Sequence, residues 1–181
     1  IQKLDNPWRR SVLPPEDTLL DLGLTGDGDL ADIGCGIGYF TIPAAKIVGQ
    51  DHLVYAIDPS QVMIEETENR AKTAGIDNIR YILSEPLDFK LAENAVEFAL
   101  LANVFHEIED KESFLHQVRH ILKPEGKLIL IEWNSEIKEY GPPADHRITE
   151  DETDNWMKDA GFTVLMKKQI GSQFFGRLYQ K

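Results

Sequence analysis

Short apolar runs rich in Ile, Val, Leu, Phe and Tyr recur at residues 29–33, 53–57, 79–83, 96–101 and 127–133, each bounded by polar residues or glycine. That length and composition predict β-strands. The stretches between them are amphipathic. Residues 40–48 stop at Gly49, and residues 60–74 open on the capping hydroxyl of Ser60 and stop at Gly75, which are helix start and stop signals. In 110–122, Phe114, Leu115, Val118, Ile121 and Leu122 fall on one arc at helical spacing, and Lys123, Pro124, Glu125 and Gly126 supply the stop and turn before the next strand. Strands alternating with helices predict an α/β sheet with crossover helices on both faces.

The rhythm changes in the last third. Thr149 and Glu152 have the spacing of a capping box and open a helix that closes at Gly161. Two more β-rich runs come at 162–168 and 174–179, joined by a turn containing Gly171 and Ser172. So few residues cannot hold a crossover helix, and an antiparallel hairpin is expected. The predicted fold is α/β and Rossmann-like: a mostly parallel seven-stranded sheet with helices on both faces and a C-terminal antiparallel hairpin. A single domain over residues 1–181 is expected, since the chain shows neither an internal repeat nor a low-complexity linker.

The chemistry begins at the turn after the first strand. Asp32 leads three glycines, Gly34, Gly36 and Gly38, and a helix comes directly after them. Backbone without Cβ atoms lets a ligand approach closely at the carboxyl edge of such a sheet. The dinucleotide fingerprint G-x-G-x-x-G is absent, because Tyr39 stands where its third glycine belongs, and no G-K-[ST] marks a P-loop. The pattern D-x-G-x-G-x-G resembles the first motif of the class I S-adenosylmethionine-dependent methyltransferases.

The resemblance runs through most of the chain. Asp58, in Ala56-Ile57-Asp58-Pro59-Ser60, matches the acidic residue that accepts hydrogen bonds from the ribose hydroxyls in that family. Glu85, in Leu83-Ser84-Glu85-Pro86, matches the residue that contacts the adenine amino group. Pro86 departs from the pattern, since it has no backbone N–H, so the donor to the adenine ring is expected to shift to Leu87. The segment 95–108 resembles the fourth strand and the stretch just after it, with Glu97 where Asp is usual and with Ala102 and Asn103 beside the methionine end, chiefly through their backbone. The resemblance thus implies a cofactor site of Asp32, Gly34, Cys35, Gly36, Gly38, Asp58, Pro59, Ser84, Glu85, Leu87, Ala102 and Asn103. It also implies S-adenosylmethionine as cofactor, S-adenosylhomocysteine as product and a small-molecule methyl acceptor. Within the family the chain is similar to the branch of quinone-biosynthesis C-methyltransferases and arsenite methyltransferases, though it lacks the several cysteines of the latter. An N-P-P-Y motif is also absent, with Leu101-Ala102-Asn103-Val104 in its place.

Individual residues carry competing readings. Asp58 binds ribose or caps the helix at Ser60; Asp32 organises the loop or touches ligand. Cys35 reads as a packed residue, because no neighbour supplies a paired base. His116 and His120 are one helical turn apart but face away from the apolar arc, and no metal site is expected. His106, just past the fourth strand, either contacts substrate or is structural. Where an acceptor must lose a proton, the candidate catalytic residues are His106, Glu132 and His146. The segment 134–147 either roofs the pocket, with His146 and Arg147 facing substrate, or lies on the surface. Trp8, Arg9 and Arg10 either cover the other side of the site or pack on the sheet.

Charge narrows the partners. Nineteen Lys and Arg face 31 Asp and Glu, a formal net charge of −12, which repels nucleic-acid backbones and anionic bilayers. The single cysteine precludes an internal disulfide and suits a reducing compartment, and neither a membrane span nor a signal peptide is evident. A cytoplasmic location is expected, with a homodimer left open. The first residue is Ile, so a start upstream of it is expected. Two rivals stand beside methyl transfer: an NAD-dependent oxidoreductase, disfavoured by the glycine spacing and the final hairpin, and a non-catalytic cofactor-binding regulatory subunit.

Overall fold

In a computed structural model that describes residues 4–136 and 141–181, alternating apolar runs pair into one seven-stranded sheet. In chain order the elements are α1 (Pro7–Val12), α2 (Pro15–Asp21), β1 (Leu30–Ile33), α3 (Thr41–Val48), β2 (Val54–Asp58), α4 (Gln61–Thr73), β3 (Ile79–Leu83), β4 (Val96–Ala102), α5 (Lys111–Ile121), β5 (Leu122–Trp133), α6 (Glu150–Asp159), β6 (Thr163–Ile170) and β7 (Phe174–Gln180). The sheet order is β3-β2-β1-β4-β5-β7-β6. The pairs among β1 to β5 are parallel, and β7 runs antiparallel to both β5 and β6.

Each central strand is buried on both faces, and alternate residues serve two separate cores. Leu30, Phe98, Leu100, Ile129 and Ile131 pack with Leu19, Phe40, Ala44 and Ile64 under α2, α3 and α4. Their neighbours Ala31, Ala99, Leu101, Leu128 and Leu130 pack with Phe114, Val118, Ile121 and Met157 under α5 and α6. Local chemistry sets the helix starts. Asp110 caps α5 by accepting from Ser113 N at 3.0 Å, and Thr149 with Glu152 forms the capping box of α6.

Two features differ from the sequence expectation. The first is α1, whose six residues are too few to show a period but begin on an Asn6 cap and Pro7. The second is the start of β5. Its ladder begins at Leu122 opposite Val96, directly where α5 ends, and an irregularity between Val96 and Phe98 absorbs the register shift. The turn chemistry persists inside this strand, with Glu125 in the left-handed region at φ 62°.

The antiparallel pair is fastened to α6 by a buried cation. Arg177, 2% exposed, pairs with Glu150 and with Asp154 Oδ1 at 3.2 Å, and Tyr179 Oη donates to the same Asp154 oxygen at 2.6 Å. Burial alone would raise the Asp154 pKa, but the bonds from Lys167 and Tyr179 and the Arg177 charge outweigh it and hold the carboxyl below its ordinary 3.8. A depressed folded value stabilises the protein above that pH, and the contribution is lost as pH falls through the folded pKa. Asp154→Ala is expected to lower the unfolding free energy by about 3 kcal/mol in urea at neutral pH. A midpoint unchanged from the parent would contradict this role.

Candidate active site

At the carboxyl ends of β1 to β4 a cavity of about 420 Å³ opens. Its floor is the turn that leaves β1. Gly34 N and Cys35 N both donate to Ile57 O, at 2.8 and 3.0 Å, which hangs the turn on the end of β2. Asp58, the last residue of β2, completes the attachment: its Oδ2 accepts from Gly36 N at 2.9 Å and its Oδ1 from Ser60 N at 2.8 Å. Thr67 Oγ1 of α4 donates to Gly36 O at 2.8 Å.

Glycine is required here for two different reasons. At Gly34, with φ +77°, a Cβ would lie 2.5 Å from Val104 Cγ2. At Gly36, with φ +56°, a Cβ would meet nothing within 4 Å and would stand in the cavity that this residue lines. Gly38 faces elsewhere, with a Cβ position 2.9 Å from Thr67 Cγ2, and borders an outer groove between α2, α3 and α4 instead of the cavity wall. That groove is larger, about 890 Å³, but no strand end contributes to it.

Asp32 is buried and accepts from Thr41 Oγ1 at 2.6 Å. Burial, aided by the neighbouring Asp58 and opposed by the Thr41 bond, pushes its pKa up to about 7. Cys35 also lines the cavity, and burial raises its thiol pKa well above the ordinary value, so it carries no nucleophilic thiolate.

The remaining wall comes from three segments. Pro59, Ser84, Glu85, Pro86 and Phe89 border the end near β2 and β3. Glu85 and Asp88 exchange backbone bonds at 3.1 and 3.2 Å, which puts Leu87 at an exposed tip outside the wall. Past β4, Ala102, Asn103 and Val104 line the cavity. Asn103 is left-handed at φ 59°, its N donates to Ile131 O at 2.8 Å, and neither polar side-chain atom has a partner among the described residues. From the opposite side α1 contributes Arg9, whose guanidinium lies over the Tyr39 ring at 4.7 Å. Tyr39 was absent from the expected cofactor site, whereas Arg9, one of the three residues expected either to cover the other side of the site or to pack on the sheet, borders the cavity.

The three candidate catalytic residues lie apart from this wall. His106 sits in the 3-10 turn Phe105–Glu107, where its Nδ1 is 2.8 Å from Glu132 Oε2 and its N donates to Glu132 Oε1 at 3.2 Å. Both side chains are buried, at 6% and 1% exposure. Glu132 therefore stands behind His106, with no place in a cavity wall. His106 borders a second cavity of about 290 Å³ with Lys111, His146 and Arg147, across the turn from Glu107 in the first. Burial pulls the His106 pKa down, but the Glu132 bond and charge outweigh it and raise it above 6.5. Arg147 clamps its own loop, donating to Pro142 O at 2.9 Å and Asn134 O at 2.7 Å. Residues 137–140 of the segment expected to roof the pocket lie outside the described residues. Glu97 is far from all of this: at the start of β4 it accepts from Asp29 N at 2.8 Å and pairs with Lys123. Among the described residues no group of His, Cys, Asp and Glu has the arrangement of a metal site.

The profile of the family described as "Methyltransferase domain" matches residues 24–173. The chain belongs to that family. A structure of an S-adenosylmethionine-dependent methyltransferase from Aquifex aeolicus superposes with TM-score 0.93 at 31% identity, covering 98% of this chain and 95% of its own. A putative type 11 methyltransferase from Sulfolobus solfataricus gives TM-score 0.76 at 26% identity, over 93% and 91% of the two chains. Demethylmenaquinone methyltransferase of Geobacillus sp. WCH70 is 24% identical over 125 residues, 69% of this chain and 53% of its own length. The chain spans about half the length of the curated relatives it matches. The fold and the membership together make this a class I S-adenosylmethionine-dependent methyltransferase domain.

The Gly34 contact is directly testable. Gly34→Ala combines a left-handed non-glycine residue with overpacking against Val104, and should cost about 3 kcal/mol in urea unfolding. In a Val104→Ala background the clash is gone, and the same change should cost only about 1 kcal/mol. Equal costs in both backgrounds would contradict the geometry.

Proposed function

We propose that the chain transfers a methyl group from S-adenosylmethionine to a small organic acceptor and releases S-adenosylhomocysteine. The carrying observation is the Asp58 carboxylate, fixed by two backbone N–H groups beside a left-handed glycine turn that opens on the cavity. The bound cofactor supplies a sulfonium-activated methyl electrophile. The residues suit such a group. Each Asp58 oxygen accepts one N–H and retains a lone pair for a ribose hydroxyl. The open space at Gly36 admits a nucleoside against the backbone, Ser84 and Glu85 offer polar groups to an adenine edge, and Ala102 and Asn103 flank the methionine end. Leu87, outside the wall, takes no part in this assignment.

The charges of the wall separate this reading from the nicotinamide one. Asp58, Glu85 and Glu107 border the cavity, which favours a cationic ligand and disfavours a pyrophosphate. One methyltransferase domain over residues 1–181, a cytoplasmic location suited to a single cysteine, and an acceptor other than nucleic acid, which the charge of −12 would repel, complete the reading. Among the described residues no helix is long and apolar enough to cross a membrane. A homodimer is a matter for sedimentation.

The protein's main contribution is to align acceptor and methyl carbon and to exclude water. Where the acceptor must lose a proton, His106 Nε2 receives it. Glu132 accepts from Nδ1–H, so the basic lone pair stays on Nε2, and Glu132 acts as a positioning residue. His146 borders the same cavity from an exposed turn and is the second candidate base. Demethylmenaquinone, named for the curated relatives, is the first acceptor to test, and labelled-methyl transfer into a small-molecule extract with mass identification of the product is the second assay.

A neutral His106 is the active form, so kcat/KM should rise with pH through a pKa above 6.5. Glu132→Gln should move that midpoint to lower pH, and His106→Ala should abolish the limb with a loss of about 100-fold. A rate and pH profile unchanged in His106→Ala would remove the residue from the mechanism.

A further inference from the structure

One residue of the cavity floor is held from outside the cavity. Gly36 is gripped at both of its backbone polar groups: its N donates to Asp58 Oδ2 at the end of β2 at 2.9 Å, and its O accepts from Thr67 Oγ1 of α4 at 2.8 Å. Asp58 borders the cavity, whereas Thr67 does not and is fully buried at the middle of α4. Among the described residues the other donor to Gly36 O is the Cys35 thiol at 3.8 Å, a weak one.

The buried face of α4 is made of Ile64, Thr67 and Ala71, so Thr67 is its one polar residue. A threonine inside a helix ordinarily returns its hydroxyl to the carbonyl four residues back, as Thr73 Oγ1 does to Asn69 O at 2.9 Å in the same helix. Thr67 instead spends its hydroxyl on the turn after β1. The methyl end of the side chain has a different contact: a Cβ at Gly38 would lie 2.9 Å from Thr67 Cγ2, so bare backbone at Gly38 makes room for Thr67. Hydroxyl and methyl thus act on two different glycines of one turn.

The hydroxyl matters because Gly36, at φ +56°, is a residue whose neighbouring peptides rotate easily. Without Thr67 Oγ1 the Gly36 carbonyl keeps only the thiol, and a stronger partner is reached only by turning the oxygen away from α4. That rotation alters the backbone surface that Gly36 offers to the cavity.

Resting on the proposed use of S-adenosylmethionine, we propose that Thr67 is a positioning residue for the cofactor: its hydroxyl fixes the Gly36 peptide that seats the nucleoside, and so adds to cofactor affinity without touching the cofactor. The methyl group of the same side chain serves packing alone.

Calorimetric titration with S-adenosylhomocysteine separates the two ends of the side chain. Thr67→Val keeps a methyl against Gly38 and removes the hydroxyl; Thr67→Ser keeps the hydroxyl and removes the methyl. Thr67→Val should weaken binding about 10-fold, and Thr67→Ser should stay within about 2-fold of the parent protein. A packing role gives the opposite order. If Thr67→Val does not unfold cooperatively in urea, Thr67→Ala, which suits a helix, carries the comparison, because it differs from Thr67→Ser only by the hydroxyl. Binding by Thr67→Val as tight as by the parent overturns the assignment, and so does an equal loss in Thr67→Val and Thr67→Ser. If the parent itself does not bind S-adenosylhomocysteine, the methyl-transfer reading fails and the assignment falls with it; binding by the parent with no effect of removing the hydroxyl removes Thr67 alone.

Discussion

The carboxylate of Asp58 joins two strand ends that would otherwise be independent. Through Oδ2 it holds Gly36 of the turn after β1, and through Oδ1 it holds Ser60 at the start of α4. The turn can reach it because Gly34 adopts φ +77°, a conformation that lets Gly34 N and Cys35 N converge on Ile57 O. Val104 and Thr67 then close on the bare backbone. Remove the carboxylate or add a Cβ at Gly34, and the floor of the cavity loses its shape. The sheet order supplies the space above that floor: β1 has β2 on one side and β4 on the other, and the chain leaves the two strands in opposite directions.

The polar groups divide the molecule's sheet edge into two environments. One cavity is ringed by carboxylates and closed on its far side by Arg9; the other lies beyond the turn Phe105–Glu107 and holds His106 and His146. Glu132 links the second environment to the sheet, because β5 carries it in the core directly behind His106.

The strand cores, the helix caps and the glycine turn were legible because each depends on neighbours in sequence. Asp58 was legible by its place after the second apolar run. The features hidden from the sequence depend on contacts across the fold. The pairing of His106 with Glu132 spans 26 residues, and only the register of β4 on β5 brings them together. Helix α1 is too short for a period, and Arg9 meets Tyr39 only because the chain brings α1 against the turn before α3, where Tyr39 Oη donates to Leu13 O. Gly38 was grouped with the other glycines by spacing, yet the turn rotates it toward α4. Leu87 was expected to replace the donor missing at Pro86, but the tight bridge between Glu85 and Asp88 carries it to the surface.

The most direct test of the central claim is a crystal structure of the protein with S-adenosylhomocysteine. The account predicts the ribose hydroxyls on the two oxygens of Asp58 and the nucleoside against Gly36, with the turn unchanged. A nucleoside bound elsewhere, or a cavity filled by the protein's own side chains in crystals grown at saturating ligand, would contradict it.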